Sequence, residues 1–224
     1  QWSTAGRIFL LEDAAYRELH YSGPGPRCIR SLDRAGDTVI LTQTFSKAFS
    51  PGLKVGYTFL PDELLAPVLH QKGNHDFGSA NFNQHLLAAV MKSGRYAAHV
   101  EKLRSVYRDK LAATLESLSA EFTRHHIPAH WTSPDGGLYV WVTLPTELDT
   151  TRDGRLFQEC LKNQVLYVPG EHCFPPEFDR GEVGALGGPR HTMRLCFGVP
   201  SIESIREGIR RLAVATKACL DDAG

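Results

Sequence analysis

Thr42-Gln-Thr-Phe-Ser-Lys47-Ala-Phe-Ser-Pro-Gly-Leu-Lys54-Val-Gly-Tyr57 is the stretch that decides how this chain is read. An apolar run, Thr38-Val-Ile-Leu-Thr42, leads into it and predicts a buried strand. A second apolar run, Val55 to Leu60, follows at once. One lysine and three hydroxyls, on Thr44, Ser46 and Ser50, therefore sit on a tight connection between two strands. A lysine placed there is poorly solvated, and desolvation lowers the pKa of an amine. An amine that loses its proton readily can form a Schiff base. The flanking hydroxyls and Lys54 form a set suited to an anionic group such as a phosphate.

Outward from this stretch the pattern predicts an α/β chain that divides near residue 95. On the N-terminal side, Ile8-Phe-Leu-Leu11 predicts a short buried strand ending at Glu12-Asp13. Gly23-Pro-Gly-Pro26 marks a loop. Asp62-Glu63 opens a helix with Leu64, Leu65, Val68 and Leu69 expected inward, and Gly73 to Asn83 reads as a loop. Strand and helix alternate here, which predicts a parallel sheet. A long helical region spans about Phe82 to Glu121, broken near Gly94, with Val100, Leu103, Val106, Tyr107, Leu111, Leu115 and Leu118 recurring at spacings of three and four.

Beyond it lies a small α+β region. Trp131 to Pro134, Gly137 to Leu144, Val165 to Val168 and Met193 to Phe197 predict strands. Leu156, Cys160 and Leu161 belong to a helix after Asp153, and Phe174 to Pro189 reads as a mobile loop. Ser201 should cap a last helix carrying Ile202, Ile205, Ile209 and Leu212 on one face.

The chain has 224 residues, enough for a good core in one domain or two. Lys+Arg and Asp+Glu are both 25, so nothing favours nucleic acid or an anionic membrane surface. No apolar run reaches the ~18 residues of a membrane span. The start, Gln1-Trp-Ser-Thr-Ala-Gly-Arg7, lacks the charged and apolar regions of a signal peptide; it also lacks a methionine, as expected of a chain cut from something longer. Cys28, Cys160, Cys173, Cys196 and Cys219 are odd in number with no Cys-x-x-Cys pair, which predicts reduced thiols in a cytoplasmic protein. His125, His126 and His130 are interrupted by Pro128 and do not form a metal-ligand pattern, so no metal is expected.

The lysine stretch, with Glu12-Asp13-Ala-Ala-Tyr16 upstream, resembles the fold-type I pyridoxal-phosphate enzymes, in particular class I/II aminotransferases of the 2-aminoadipate and kynurenine aminotransferase branch. The resemblance runs from about Arg7 to the C-terminus and implies the C-terminal portion of such an enzyme. Residues 1–95 would be the C-terminal part of the cofactor-binding large domain, with a mainly parallel sheet. Residues 96–224 would be the linking helix and small domain.

By that resemblance Asp13 pairs with the pyridinium nitrogen of pyridoxal 5′-phosphate, Tyr16 hydrogen-bonds its phenolic oxygen, and Lys47 forms the Schiff base and shuttles the proton. Thr44 and Ser46 contact the phosphate. Lys54 stands where an arginine is usual, and it offers a point charge in place of a bidentate fork. Arg194, within Met193-Arg-Leu-Cys-Phe-Gly198, clamps the substrate α-carboxylate; an arginine on an apolar strand is costly to bury without an anion. Val168-Pro-Gly-Glu-His-Cys-Phe174 resembles a substrate-facing turn whose His172 or Cys173 lines the pocket, and Tyr139 reads as core.

The implied reaction is ping-pong amino-group transfer from an amino acid to a 2-oxo acid by a homodimer. The N-terminal part of such enzymes cradles the phosphate and stacks on the ring, so residues 1–224 alone are expected to be inactive. A pyridoxal-phosphate-dependent carbon–sulfur lyase would share these residues. So would the aminotransferase-like effector domain of a helix-turn-helix transcription regulator; upstream sequence distinguishes the latter.

Overall fold

The computed structural model of the protein describes residues 8–179, 182–186 and 188–222. The chain forms two compact units, one ending at Ser105 and the other beginning at Val106.

The first unit is built on a three-stranded sheet of β1 (Leu10–Asp13), β2 (Val39–Thr44) and β3 (Gly56–Phe59), in the order β1-β2-β3. β1 runs parallel to β2, with Asp13 opposite Thr42. β3 runs antiparallel to β2, with Thr44 opposite Gly56. A mainly parallel sheet was expected, and these three strands form a mixed one. The reason lies in the connection: Phe45 to Val55 contains no crossover helix, and parallel strands need one.

β2 alternates as a strand with one buried face should, with Val39 and Leu41 at 5% and 7% exposure. β1 departs from the expected buried strand, because Leu10 and Leu11 are 42% and 63% exposed. Among the described residues it pairs with β2 alone, so the apolar run Ile8–Leu11 reports β propensity here, not burial.

Two carboxylates tie the connection between β1 and β2 to the sheet. Glu12 accepts hydrogen bonds from the Ile29 and Arg30 N–H groups (3.0 and 2.9 Å) and from the Cys28 thiol (3.1 Å). Burial pushes its carboxyl up, and these donors together with the charge of Arg17 more than offset that, leaving it below the ordinary carboxylate range. Asp33 accepts from the N–H groups of Val39 (2.8 Å), Thr38 and Gly36 (3.0 Å each), and from the Arg30 guanidinium (3.0 Å). The Val39 and Thr38 N–H bonds are the chief causes holding the Asp33 carboxyl low.

Three helices complete this part: α1 (Asp62–Asp76), α2 (Asn81–Lys92) and α3 (Arg95–Arg124). α1 runs into the segment expected as a loop, passing through Gly73, and stops where Phe77 adopts a left-handed conformation with its N–H bonded to Gly73 O. No α1 residue is buried, and Leu65, Val68 and Leu69, expected inward, are 48%, 42% and 55% exposed. The apolar periodicity is real, but nothing among the described residues covers that stripe. The break between α2 and α3 falls at Ser93–Gly94, where Gly94 takes φ 75°, as the sequence predicts. The division between the two compact units, at Ser105 and Val106, falls within α3.

The second unit carries a four-stranded antiparallel sheet of β4 (His130–Trp131), β5 (Tyr139–Thr143), β6 (Val168–Pro169) and, later in the chain, a strand at Thr192–Cys196. Between β5 and β6 lies α4 (Arg155–Lys162). Phe174 to Pro189, expected as a structureless loop, instead contains a hairpin of β7 (Pro176–Asp179) and β8 (Glu182–Leu186), with a bulge near Phe178. Pro and Gly obscure any alternation in the sequence, and the pairing of the two strands decides it. Residues 180, 181 and 187 of that expected loop lie outside the described residues.

The Thr192–Cys196 strand is β9, the sheet order is β4-β5-β9-β6, and α5 (Ile202–Asp221) closes the unit. Val140 and Val142 of β5 and Met193 of β9 are fully buried on one face. Ser201 caps α5, its side chain accepting the Ser204 N–H at 3.2 Å, and Ile205, Ile209 and Leu212 turn inward as predicted. Cys160 of α4 and Cys219 of α5 are buried free thiols; burial pushes the Cys160 thiol up to about 12. Such thiols behave as small apolar side chains. No described helix is long and apolar enough to cross a membrane.

Asp33 offers a test of this local architecture. Its folded pKa is depressed, so its stabilisation is present above the unfolded value of about 3.9 and lost as pH falls through the lower folded value. Asp33→Ala should lower the thermal midpoint of the intact protein at neutral pH. The gap from the parent should narrow as the pH falls below the ordinary carboxylate range and through the lower folded value. A gap that stays constant with pH would show that the carboxylate is not the group responsible.

Candidate active site

The site begins where β1 ends. Asp13 is exposed, and its Oδ1 accepts the Ala15 N–H at 3.0 Å, which starts a tight turn. Ala14 N–H reaches back to Thr42 O (2.9 Å), and Arg17 N–H closes on Ala14 O (3.0 Å). Tyr16 lies on this turn, and Leu19 N–H bonds to its carbonyl at 2.9 Å.

β2 ends at Thr44 and passes into a single helical turn, with the Phe49 and Ser50 N–H groups both bonded to Phe45 O. Phe45, Ala48 and Phe49 stand at helical spacing and turn inward, packing with Leu87, Tyr96 and Val100 from α2 and α3. Ser46 and Lys47 fall on the other face. Lys47 is half-buried, and its Nζ lies 5.3 Å from the centroid of the Tyr16 ring.

The Thr44 and Ser46 hydroxyls lie 2.9 Å apart, and the Ser46 N–H donates to Thr44 Oγ1 at 3.1 Å. Two hydroxyls and an amide thus share one small polar corner. Phe45 N–H bonds to Val55 O (3.1 Å), and Asn83 Nδ2 donates to Leu53 O (2.9 Å), so the far end of the connection is pinned as well. Gly56 faces Thr44, and a Cβ there would stand 2.7 Å from Gln43 O. Only glycine lets β3 approach so closely, and with it the lysine turn. Lys54 is exposed and adopts a left-handed conformation (φ 53°). A groove of about 390 Å³ is lined by Asp13, Thr42, Thr44, Gly56, Tyr57 and the apolar stripe of α1.

Of the residues singled out by sequence, Asp13, Tyr16, Thr44, Ser46, Lys47 and Lys54 all belong to the first unit. Arg194 belongs to the second, on β9, opposite Trp141 of β5 and Val168 of β6. Its Cζ lies 4.3 Å from the centroid of the Tyr139 ring. Its Nε is buried and has no hydrogen-bond partner among the described residues. A cation–π contact contributes about 0.5–2 kcal/mol. The desolvation of a charged group costs several kcal/mol. Arg194 as a whole is half-buried; the unsatisfied atom is the buried Nε, and an acceptor presented to it would complete its hydrogen bonding.

Tyr139 was expected in the core. It is half-buried on the opposite face from Val140 and Val142, and its ring is the platform for Arg194. The period of two along Tyr139-Val-Trp-Val-Thr143 carries the signal: Tyr139 and Trp141 share a face, and Arg194 pairs with Trp141 on that face. Trp141 in turn meets Phe174 edge-on at 6.0 Å. His172 and Cys173 are exposed in a 3₁₀ turn, Gly170–Cys173, directly after β6. Gly170 is required there, since a Cβ would collide with Thr192 Oγ1. Among the described residues no three His, Cys, Asp or Glu side chains are grouped to hold a metal ion.

Residues 2–212 match the family model for aminotransferase class I and II. The chain is 34% identical over 215 residues to the 2-aminoadipate transaminase of Thermus thermophilus, covering 95% of this chain and 50% of that protein. Among solved structures, the alpha-aminoadipate aminotransferase of the same organism, complexed with N-(5'-phosphopyridoxyl)-L-leucine, superposes with a TM-score of 0.82 at 33% identity, covering 95% of this chain and 51% of that one. At lower identity, 27% over 217 residues, the chain resembles the HTH-type transcriptional regulator NorG of Staphylococcus aureus, covering 96% of this chain and 44% of that protein. The chain thus spans about half the length of the relatives it matches.

The buried Nε of Arg194 gives a direct test. Arg194→Ala in the intact protein should lower kcat/KM by about a hundredfold or more for both an amino acid and a 2-oxo acid, while the bound cofactor's absorbance stays as in the parent. Loss of cofactor with unchanged substrate affinity would place Arg194 in a structural role.

Proposed function

The chain belongs to the aminotransferase class I and II family, and from that premise we propose that the intact protein is a pyridoxal-phosphate-dependent aminotransferase. It moves an amino group from an amino acid to a 2-oxo acid. The observation that carries this reading is the approach of Lys47 Nζ to the Tyr16 ring, 5.3 Å from its centroid, beside the paired hydroxyls of Thr44 and Ser46.

The donor set fits the cofactor. Two hydroxyls and the Ser46 amide form a small polar corner suited to a phosphate, with Lys54 adding positive charge. Asp13, exposed at the strand end, would hold the proton on the ring nitrogen. Tyr16 would donate to the ring's phenolic oxygen. When bound, pyridoxal phosphate supplies an electron sink for the charge left at the substrate's α-carbon. Lys47 would be the residue covalently attached to it. Once displaced by substrate, the Lys47 Nζ would take the proton from the α-carbon and return it on the cofactor side. Arg194 would fix the substrate by its α-carboxylate, and Tyr139 would keep the guanidinium plane in place.

In this reading residues 1–95 are the C-terminal part of the cofactor-binding large domain, and residues 96–224 are the linking helix and small domain. The protein would be a cytoplasmic homodimer. The resemblance to NorG supports a second reading, the effector domain of a helix-turn-helix regulator. Turnover separates the two, because an effector domain binds its ligand without net amino transfer.

Borohydride treatment of the cofactor-loaded intact protein, followed by peptide mapping, should place the cofactor's mass on Lys47. A tag on another lysine, or none with cofactor bound, would overturn the assignment. Asp13→Asn should retain part of the cofactor binding and cut amino transfer about a hundredfold or more, as the loss of a charge stabilising the reacting state does. Normal turnover in that variant would remove Asp13 from the mechanism.

A further inference from the structure

We propose that Tyr96, near the start of α3, is a positioning residue that locks the Tyr16 turn and the Lys47 turn into a fixed relation. Tyr96 is 8% exposed and touches both turns at once. Its ring lies 5.8 Å from Phe45, edge-on, and 5.7 Å from Phe49, the two aromatic residues that flank Lys47. Its hydroxyl donates to Glu18 Oε2 at 2.5 Å. Glu18 stands two residues beyond Tyr16 on the other turn.

α3 grips Glu18 a second time. Arg104, farther along the helix, donates from Nε to the Glu18 carbonyl at 2.8 Å, and Glu101 holds the same guanidinium at 2.5 Å. Glu18 is thus held at its carboxylate and at its backbone by one rigid element. Burial first, and the Glu18 carboxylate second, push the Tyr96 hydroxyl well above its ordinary value, so it remains a proton donor throughout the working pH range.

The geometry explains why one side chain matters for two turns. Lys47 and Tyr16 meet at 5.3 Å, yet each is carried on its own short turn. The lysine turn is oriented by the burial of Phe45, Ala48 and Phe49, and Tyr96 forms part of the surface they bury against. The Tyr16 turn projects beyond the end of β1, past the last paired residue, Asp13. The Tyr96–Glu18 bond links it to that same surface. Aromatic packing alone would fix only the lysine turn. The hydroxyl is the atom that transmits its position to Tyr16.

This inference rests on Lys47 and Tyr16 being cofactor residues, and the test separates the two ideas. Tyr96→Phe keeps the ring and removes only the hydroxyl. In the intact protein it should raise the pyridoxal-phosphate dissociation constant about tenfold or more and weaken the circular dichroism induced in the bound cofactor, the scale expected for losing one hydrogen bond to a charged group. In the cofactor-free protein it should speed amide exchange over residues 14–19 and leave β2 unchanged. Glu18→Ala should reproduce these effects, and the double variant should add nothing further. Glu18→Gln, which keeps an acceptor, should restore most of the parent behaviour.

Unchanged affinity, dichroism and exchange in Tyr96→Phe would overturn the proposal, as would fully additive effects of Tyr96→Phe and Glu18→Ala. A parent protein that does not take up pyridoxal phosphate on Lys47 would instead defeat the underlying functional reading.

Discussion

The burial of Phe45, Ala48 and Phe49 against α2 and α3 is the constraint from which the arrangement of the first unit follows. A single helical turn has no stability of its own, since nucleation costs more than one turn of hydrogen bonds returns. Three inward side chains at helical spacing supply what the backbone cannot. Once they are buried, Ser46 and Lys47 must face the other way. The lysine is therefore presented by packing on the opposite side of its turn, and the polar corner at Thr44 and Ser46 comes with it. Gly56 belongs to the same constraint, because β3 could not lie against β2 at Thr44 if it carried a side chain.

The second unit solves a different problem. A guanidinium on a central strand must be desolvated on at least one side. Here Tyr139 covers one face of Arg194, the neighbouring strands contribute Trp141 and Val168 in register, and Nε has no hydrogen-bond partner among the described residues. The buried nitrogen therefore keeps its capacity to donate to an acceptor. Stacking restricts the plane of the guanidinium, so that much of the orientation is settled before such an acceptor arrives.

The local elements around the candidate site were legible in the sequence. The lysine connection, the strand that feeds it, the break at Gly94 and the Ser201-capped helix are all read from short windows. Each depends on local rules: period, capping, and glycine where φ is positive. The misjudged features share the opposite property. β1 and α1 carry apolar patterns but remain exposed, because burial requires a second surface and periodicity does not say whether one is there. The pairing of β7 with β8 was hidden because the segment after Phe174 is rich in Pro and Gly, which usually signal loops. Tyr139 was assigned to the core because an aromatic on a strand most often belongs there.

The sequence by itself determined which short elements form around the candidate residues and which turns carry Tyr16 and Lys47, because turn chemistry and helix spacing act over a few positions. Only the tertiary structure decided which of them meet. Tyr16 reaches Lys47 through the parallel pairing of β1 with β2, Tyr96 reaches both turns from a helix far along the chain, and Tyr139 lies against Arg194 through the register of β5 on β9. Such approaches depend on strand register and on packing between distant segments. No local window of residues contains that information.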